Sequence, residues 1–172
     1  MEVSTVNVTQ ISPPHVAQEH HERLLRHVNR IPAIADLIDN RQIAELRTAI
    51  DETCDFLNEL LLPHMVAAEG AFYPELERMF QNRHSMTPMR REHDRIRSIV
   101  DELTGLRGVL REGHFGVGEE VRLRRALFGL YAVLKVHLAE ELLYAGLVER
   151  RATPEEEEAL AAAMAHAGTV RF

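Results

Sequence analysis

The sequence LKVHLAEELLYAGLV, residues 134–148, contains the sharpest local signal of a buried polar pair on a helix in this 172-residue chain. Apolar residues lead into it at steps of three and four, and His137 and Glu141 continue the same stripe. The spacing predicts a long amphipathic helix with both polar residues on its buried face. Residues four apart share a helix face, so an imidazole nitrogen and a carboxylate oxygen can reach one small volume. Such groups are costly to bury unless they are paired or hold a cation.

Three further segments each carry a histidine on a predicted inward-facing stripe. They are His21 in the first segment, which ends near residue 38, His64 in the second segment, which begins near residue 41, and His93 in the third segment, which follows Thr87. Any one of them is explained as a core histidine that hydrogen-bonds to a neighbour. One cation shared by all four imidazoles would satisfy them together, whereas otherwise each helix needs its own partner. The set therefore predicts a single metal site built from four helices.

Four amphipathic segments joined by short links predict an all-α fold, an up-down-up-down four-helix bundle with a short C-terminal helix. We expect a flexible arm over residues 1–12, the bundle over 13–151, and a last helix and tail over 152–172. Prolines modify this plan because each removes a backbone donor inside a helix. Pro32 predicts a kink in the first helix, and Pro63 and Pro74 predict bends in the second.

Composition and charge exclude several classes of function. The formal net charge of −7 opposes wholesale binding of nucleic acid phosphates, although Arg90, Arg91, Arg95 and Arg97 form a local basic cluster. We expect no membrane helix, because no apolar run approaches spanning length. Cys54 is the single cysteine, so no internal disulfide can form and a cytoplasmic location is expected.

The four histidine segments resemble, in order, the helices of the hemerythrin-like (HHE) cation-binding domain family. The segments are EHHERLLRHV, LLPHMVAAEGAFYPEL, PMRREHDRIRSIVDEL and LKVHLAEELLY, and the resemblance covers roughly residues 14 to 150. It implies a bundle that holds a non-haem centre of two iron ions with an oxo or hydroxo bridge. By position it implies ligation by His21, His64, His93 and His137, with Glu141 as a bridging carboxylate. Nitrogen and oxygen donors of this kind also suit manganese or zinc.

The second helix departs from the family pattern. The family has a carboxylate four residues after the second-helix histidine, where this chain has Ala68, and Glu69 follows. Glu69 lies about 100° round an ideal helix from the expected bridge. A π-bulge, or a distortion near Pro63, would be needed to turn it inward as a ligand. Otherwise the centre lacks one bridge, and a mononuclear or absent site becomes the alternative.

Two further positions leave the ligand set open. Oxygen-carrying relatives resemble one another in a second third-helix histidine, where this chain has Arg97. An open coordination position then favours binding of oxygen, peroxide or nitric oxide for sensing, redox stress or iron handling over reversible oxygen carriage. His20 competes with His21 for the first-helix position, because it also lies on a helical stripe. His27 is a further candidate if Pro32 distorts the first helix.

Catalysis and partners remain open from the residues alone. No separate general base or nucleophile stands out, so binding is expected more firmly than turnover. The rival interpretation is a helical interaction module with a degenerate or non-iron metal site, supported by Ala68, with the surface from Arg90 to Arg97 as a contact.

Overall fold

The computed structural model describes the backbone of residues 13–169 and most side chains from His20 to Leu160. The arm predicted over residues 1–12 lies outside this range. Between residues 13 and 169 the chain forms helices, turns and bends without a strand, so the predicted all-α class is confirmed. None of the described helices is long and apolar enough to cross a bilayer.

The helices follow one another with short links. Two π-helical segments, π1 and π2, interrupt the second long helix without ending it. The elements are α1 (Pro13–Val28), α2 (Ile31–Asp39), α3 (Ile43–Phe56), π1 (Leu57–Leu61), α4 (Leu62–Ala67), π2 (Ala68–Phe72), α5 (Tyr73–Met79), α6 (Thr87–Glu112), α7 (Val117–Glu149) and α8 (Pro154–Thr169).

The first helix breaks just before Pro32. Helix α1 ends at Val28, and α2 restarts at Ile31 with Pro32 in its first turn. A first-turn proline costs little, because its missing N–H would have no partner inside the helix. The interruption predicted at Pro32 is therefore a break at Asn29 and Arg30, and the proline begins the new helix.

Each proline of the second long helix follows a π-helical segment. Pro63 lies in the first turn of α4 after π1, and Pro74 lies in the first turn of α5 after π2. The backbone at the junctions Leu57, Leu62, Ala68 and Tyr73 stays right-handed helical, so the rod is continuous. A wider π turn accommodates a proline that cannot donate to the preceding turn. It also rotates the faces of the following helix.

The long helices pack as a closed ring around a core of leucine and isoleucine. Contacts join α2 to α3, α3 to α6, α6 to α7, and both α1 and α2 to α7. Helix α8 packs against α4 and π2. The buried apolar residues form two clusters, a large one that includes Leu61 and Leu134 and a smaller one that includes Phe72 and Val148. Their arrangement leaves a layer of buried polar residues between them.

Substitution of Leu130 tests how much the large apolar cluster contributes to stability. It lies in the middle of α7 and is 0% exposed. Leu130→Ala is expected to lower the free energy of unfolding by about 3 kcal/mol, because it removes buried methyl groups and leaves a cavity. Urea denaturation of the metal-free protein measures this loss. Ser98→Ala on the exposed face of α6 is the control and should change stability by less than about 0.5 kcal/mol. Equal effects of both variants would contradict this core.

Candidate metal centre

Five of the residues singled out in the sequence meet in the polar layer between the two apolar clusters. They fall into two groups that share one carboxylate: His21, His64 and Glu141 form the first half-site, and His93, His137 and Glu141 form the second half-site. Within each group one ligand atom from every residue lies within 4.8 Å of the others. All five side chains are buried, none more than 5% exposed. The arrangement is a buried pair of nitrogen and oxygen ligand sets.

In the first half-site two imidazoles face one oxygen of Glu141. The Nε2 atoms of His21 and His64 lie 3.2 Å and 2.8 Å from Glu141 Oε2. On its other side, His64 Nδ1 lies 3.2 Å from Nε2 of His20. Burial and the neighbouring cationic groups lower the pKa of His20 to about 4, so its ring is neutral at pH 7. Of the two competing first-helix histidines, His21 contacts Glu141 and His20 contacts His64.

In the second half-site two imidazoles and a phenol face the other oxygen of Glu141. His93 Nε2 lies 3.0 Å from His137 Nε2, and His137 Nε2 lies 3.5 Å from Glu141 Oε1. The hydroxyl of Tyr73 donates to Glu141 Oε1 at 2.7 Å and lies 3.2 Å from His93 Nε2. Tyr73 is fully buried, and burial together with the charge of Glu141 raises the pKa of its phenol. The phenol is therefore protonated and acts as a donor.

Carboxylates outside the layer set the orientation of these two imidazoles. Glu69 Oε1 lies 2.6 Å from His93 Nδ1, and Glu92 Oε2 lies 2.9 Å from His137 Nδ1. An ionised carboxylate only accepts, so both Nδ1 atoms carry the hydrogen. In the neutral rings the two Nε2 atoms then present lone pairs to each other across 3.0 Å. A proton or a cation between them is needed to make this contact favourable.

The pKa shifts show how the layer behaves without a metal. Burial disfavours the ionised form of Glu141, but the charge of His64 and hydrogen bonds from three histidines hold its pKa well below the usual range. Burial also disfavours a charged His137, yet Glu141 and Glu92 raise its pKa above 6.5. Burial and the neighbouring His137 lower the pKa of His93 to about 4. One proton can thus take the place of a cation in the second half-site.

Glu69, expected from the sequence as a ligand, lies outside both half-sites. The π-helical segment that could have turned it inward is present, but the carboxylate reaches the far side of His93 instead. Arg97 donates to the same oxygen at 2.7 Å, and the hydrogen bonds from Arg97 and His93 lower the pKa of Glu69 against the effect of burial. Ala68, where the family pattern has its carboxylate, is fully buried. In this structure Glu69 contacts His93 and Arg97 rather than a half-site, and its role as a ligand stays a prediction.

Tyr73 and Glu92 also reach the layer, although neither is among the ligand positions that the sequence indicates. At about 100° per residue, Tyr73 lies half a turn from His64 on an ideal helix. The wider turn of π2 between them brings its hydroxyl to the layer. Glu92 follows no spacing rule relative to its partner, because it is on α6 and His137 is on α7. The position of Glu92 next to His93 in the sequence does not predict its contact with His137.

A family model of the hemerythrin HHE cation-binding domain matches residues 13–147. The chain belongs to this family. No curated protein and no solved structure shows a significant match. The match includes every residue of both half-sites and confirms the resemblance carried by the four histidine segments. An HHE domain binds metal cations, and the buried histidine and glutamate groups of this chain are where a cation can bind.

Four of the distances between ligand atoms of this HHE domain are close to the spacing of a metal's coordination shell. A metal about 2.1 Å from each donor keeps neighbouring donor atoms about 3.0 to 3.4 Å apart. The contacts of Glu141 with His21, His64 and His137, and of His93 with His137, span 2.8 to 3.5 Å. The donors are imidazole nitrogens and one carboxylate without thiolate, a set that suits iron, manganese or zinc. The residues present therefore fit a cation in each half-site.

Tyr73→Phe tests the hydrogen bond that Tyr73, the first residue of α5, donates to Glu141. Removing the hydroxyl leaves a buried carboxylate oxygen without this donor, so the metal-free protein should lose about 1–3 kcal/mol of unfolding free energy. Tyr144→Phe is the matched control, because that half-buried ring contacts Phe80 and keeps this contact. Denaturant unfolding of both variants gives the comparison. The assignment fails if Tyr144→Phe costs as much as Tyr73→Phe.

Proposed function

We propose that this HHE domain holds two iron ions, one in each half-site, and binds oxygen or a related small oxidant such as peroxide or nitric oxide. The observation that supports it best is the convergence of the Nε2 atoms of His93 and His137, 3.0 Å apart in the second half-site. Both rings are oriented with Nε2 inward by carboxylates on Nδ1. Such a convergence needs either a shared proton or a cation between the two nitrogens, and imidazoles oriented by carboxylates are typical ligands of a metal.

Glu141 would join the two metal positions. Its Oε2 faces His21 and His64, and its Oε1 faces His137 and the hydroxyl of Tyr73. A carboxylate with one oxygen toward each half-site is suited to bridge two cations of like charge. Iron is proposed over manganese and zinc from the resemblance described above, since the donor set suits all three.

Bound iron would supply reversible redox chemistry and coordination of a small molecule, while the chain supplies the environment. Each half-site offers three protein ligand atoms, fewer than the six that an octahedral ion accepts, so positions stay open for a small ligand. The apolar clusters on both sides keep water away from the layer. Tyr73 holds a proton at its hydroxyl, 2.7 Å from Glu141 Oε1, where it can donate to a polar ligand.

This domain would bind a small oxidant for sensing, for the response to redox stress or for iron handling, and no catalytic reaction is assigned to it. Apart from Tyr73, the titratable groups that the structure places in the layer are ligand candidates. The proposed setting is the cytoplasm, because the single cysteine, Cys54, is a buried free thiol that suits a reducing compartment.

A helical interaction module with a non-iron or degenerate site is the second candidate. It is favoured by Ala68 and by Glu69, whose carboxylate points away from both half-sites toward His93 Nδ1 and Arg97. A module of this kind needs no cation and would keep its fold without one. Metal content separates the two candidates directly.

Metal analysis of Glu141→Gln tests the bridge. Protein reconstituted with ferrous iron without oxygen and then exposed to air should hold close to two irons per chain and show charge-transfer absorption. Glu141→Gln should bind at most one iron and lose that absorption, because the shared carboxylate is gone. Glu140→Gln, the neighbouring position outside both half-sites, is the control and should behave as the unsubstituted chain. Absence of bound iron in the unsubstituted chain would reject the proposal.

The two half-sites should differ in affinity because their supporting groups differ. Glu69 and Glu92 back both imidazoles of the second half-site, whereas one of the two imidazoles of the first half-site, that of His64, is backed by a neutral histidine, His20. A carboxylate partner makes an imidazole a stronger metal ligand, an effect of about 10–100-fold on affinity. Anaerobic titration with Co²⁺ should therefore show two steps. Glu92→Gln should weaken the tighter step by about 10-fold or more and leave the weaker step unchanged.

Glu140→Gln serves again as the control for this titration. If Glu92→Gln lost the weaker step and kept the tighter one, the second half-site would be the weaker of the two, contrary to the prediction. If the unsubstituted chain bound Co²⁺ in a single step at two equal sites, the predicted difference in affinity between the half-sites would be wrong.

A further inference from the structure

Helix α7 carries an apolar stripe on its outer side. Six of the seven large apolar side chains that are exposed in the described part of the chain belong to this helix. They are Val117, Val121, Phe128, Val136, Leu142 and Leu143. Val117, Leu143 and Val121 are the most open, at 76%, 70% and 62%. Exposure of this kind on one element marks a surface that contacts another molecule.

Helical geometry places five of these residues on one face. At about 100° per residue, Val117, Val121, Phe128, Val136 and Leu143 fall within an arc of about 100°. Two exposed alanines, at positions 132 and 139, fill the gaps between them. The charged residues in the arc are Arg125 and, at its edge, Lys135, which donates to Asn29. We call this surface the α7 stripe. The buried leucines of α7 and its two site residues lie on the opposite side of the helix.

Helix α7 is therefore apolar on two faces. One face packs against α1, α2 and α6, and the other faces solvent. A helix that is apolar all round is normally buried on all sides. Helix α8 lies on α4 and π2, so it packs elsewhere in the fold.

We propose that the α7 stripe is the contact surface for a second copy of this chain, with the two α7 helices antiparallel across a two-fold axis near Ala132. A long, straight apolar stripe needs a long, straight partner, and α7 of another copy has the matching length. The axis pairs Val121 of each copy with Leu143 of the other, and Phe128 with Val136. The small Ala132 lies at the centre, where two helices approach most closely. Two-fold pairs of this kind use the same patch on both copies.

The charges on the stripe favour the antiparallel direction. With the axis near Ala132, Arg125 of each copy lies opposite Ala139 of the other and next to its Glu140. Parallel copies would place the two Arg125 side chains against each other, which is repulsive. Arg125 bonds Glu102 of its own chain through one nitrogen, yet its side chain stays 69% exposed. Its remaining donors are free to reach a second carboxylate.

The size of the stripe predicts a reversible dimer. From Val117 to Leu143 it is about 40 Å long at 1.5 Å per residue, and one helix face about 10 Å wide gives about 400 Å² per copy. Stable interfaces bury about 800 Å² per partner, so flanking side chains must contribute and a weak, reversible dimer is expected. The proposal is independent of the metal centre, because His137 and Glu141 lie on the other face of α7.

Sedimentation equilibrium over a range of concentrations is the first test. The unsubstituted chain should be a concentration-dependent dimer, and Phe128→Glu or Val136→Glu should raise the dissociation constant at least tenfold. Ser98→Glu, at an exposed position of α6, is the control and should leave it unchanged. Far-ultraviolet circular dichroism checks that the variants stay folded. A monomer at every concentration would overturn the proposal.

Cross-linking tests the direction without placing a charge in the stripe. Val121→Cys and Leu143→Cys chains are mixed and treated with a short thiol-to-thiol cross-linker; the native Cys54 is buried and free. The antiparallel pair predicts linkage between position 121 of one chain and position 143 of the other. Linkage of position 121 to position 121 would reject this orientation. If Ser98→Cys chains were cross-linked to the same extent, the α7 stripe could not be the contact surface between the copies.

Charge exchange gives a third, independent result. Arg125→Glu should weaken the dimer at least threefold, and the double variant Arg125→Glu with Glu140→Arg should restore it, because each new charge again faces its opposite. The intramolecular pair of Arg125 with Glu102 is lost in both variants, so rescue can come only from the contact between copies. Failure of the double variant to recover would contradict the proposed register.

Discussion

A buried carboxylate, that of Glu141, is the group on which the rest of the centre depends. It lies on α7, is 1% exposed, and meets side chains from α1, α4, α5 and its own helix. Removing such a charge from water is costly unless several donors or a cation surround it. The histidines and the tyrosine therefore have to converge, and the helices that carry them have to pack where Glu141 is. The polar layer and the ring of helices follow from the same requirement.

The prolines and the π-helical segments account for the unusual second helix. Pro63 and Pro74 interrupt ordinary hydrogen bonding, and a wider turn precedes each of them without ending the rod. The rotation at π2 directs the carboxylate of Glu69 toward the outer nitrogen of His93 and brings Tyr73 into the layer. The hydroxyl of Tyr73 thus donates to Glu141, whereas the carboxylate of Glu69, which accepts from Arg97, lies against His93 outside both half-sites.

Helix α7 links the chemistry of the interior to the outer surface. Its inner face carries the two polar residues of the centre between two apolar clusters, and its outer face carries the α7 stripe. The same helix can therefore serve metal binding and association without competition, because the faces lie on opposite sides. Its weak amphipathic character is explained by two faces that each bury apolar surface, one inside the bundle and one in the proposed dimer.

The sequence by itself determined the all-α class, the family, and the set of four inward histidines with Glu141, because these follow from steps of three and four along single helices. The missing backbone donor of each proline also predicted where the helices are interrupted, but it did not predict that the second helix would form π-helical turns there. Only the tertiary structure showed that His21 contacts Glu141 whereas His20 contacts His64, that Glu69 contacts His93, and that Glu92 and Tyr73 reach the polar layer. These contacts join different helices or cross a π turn, and an ideal helix projection contains neither the distance between helices nor the changed rotation.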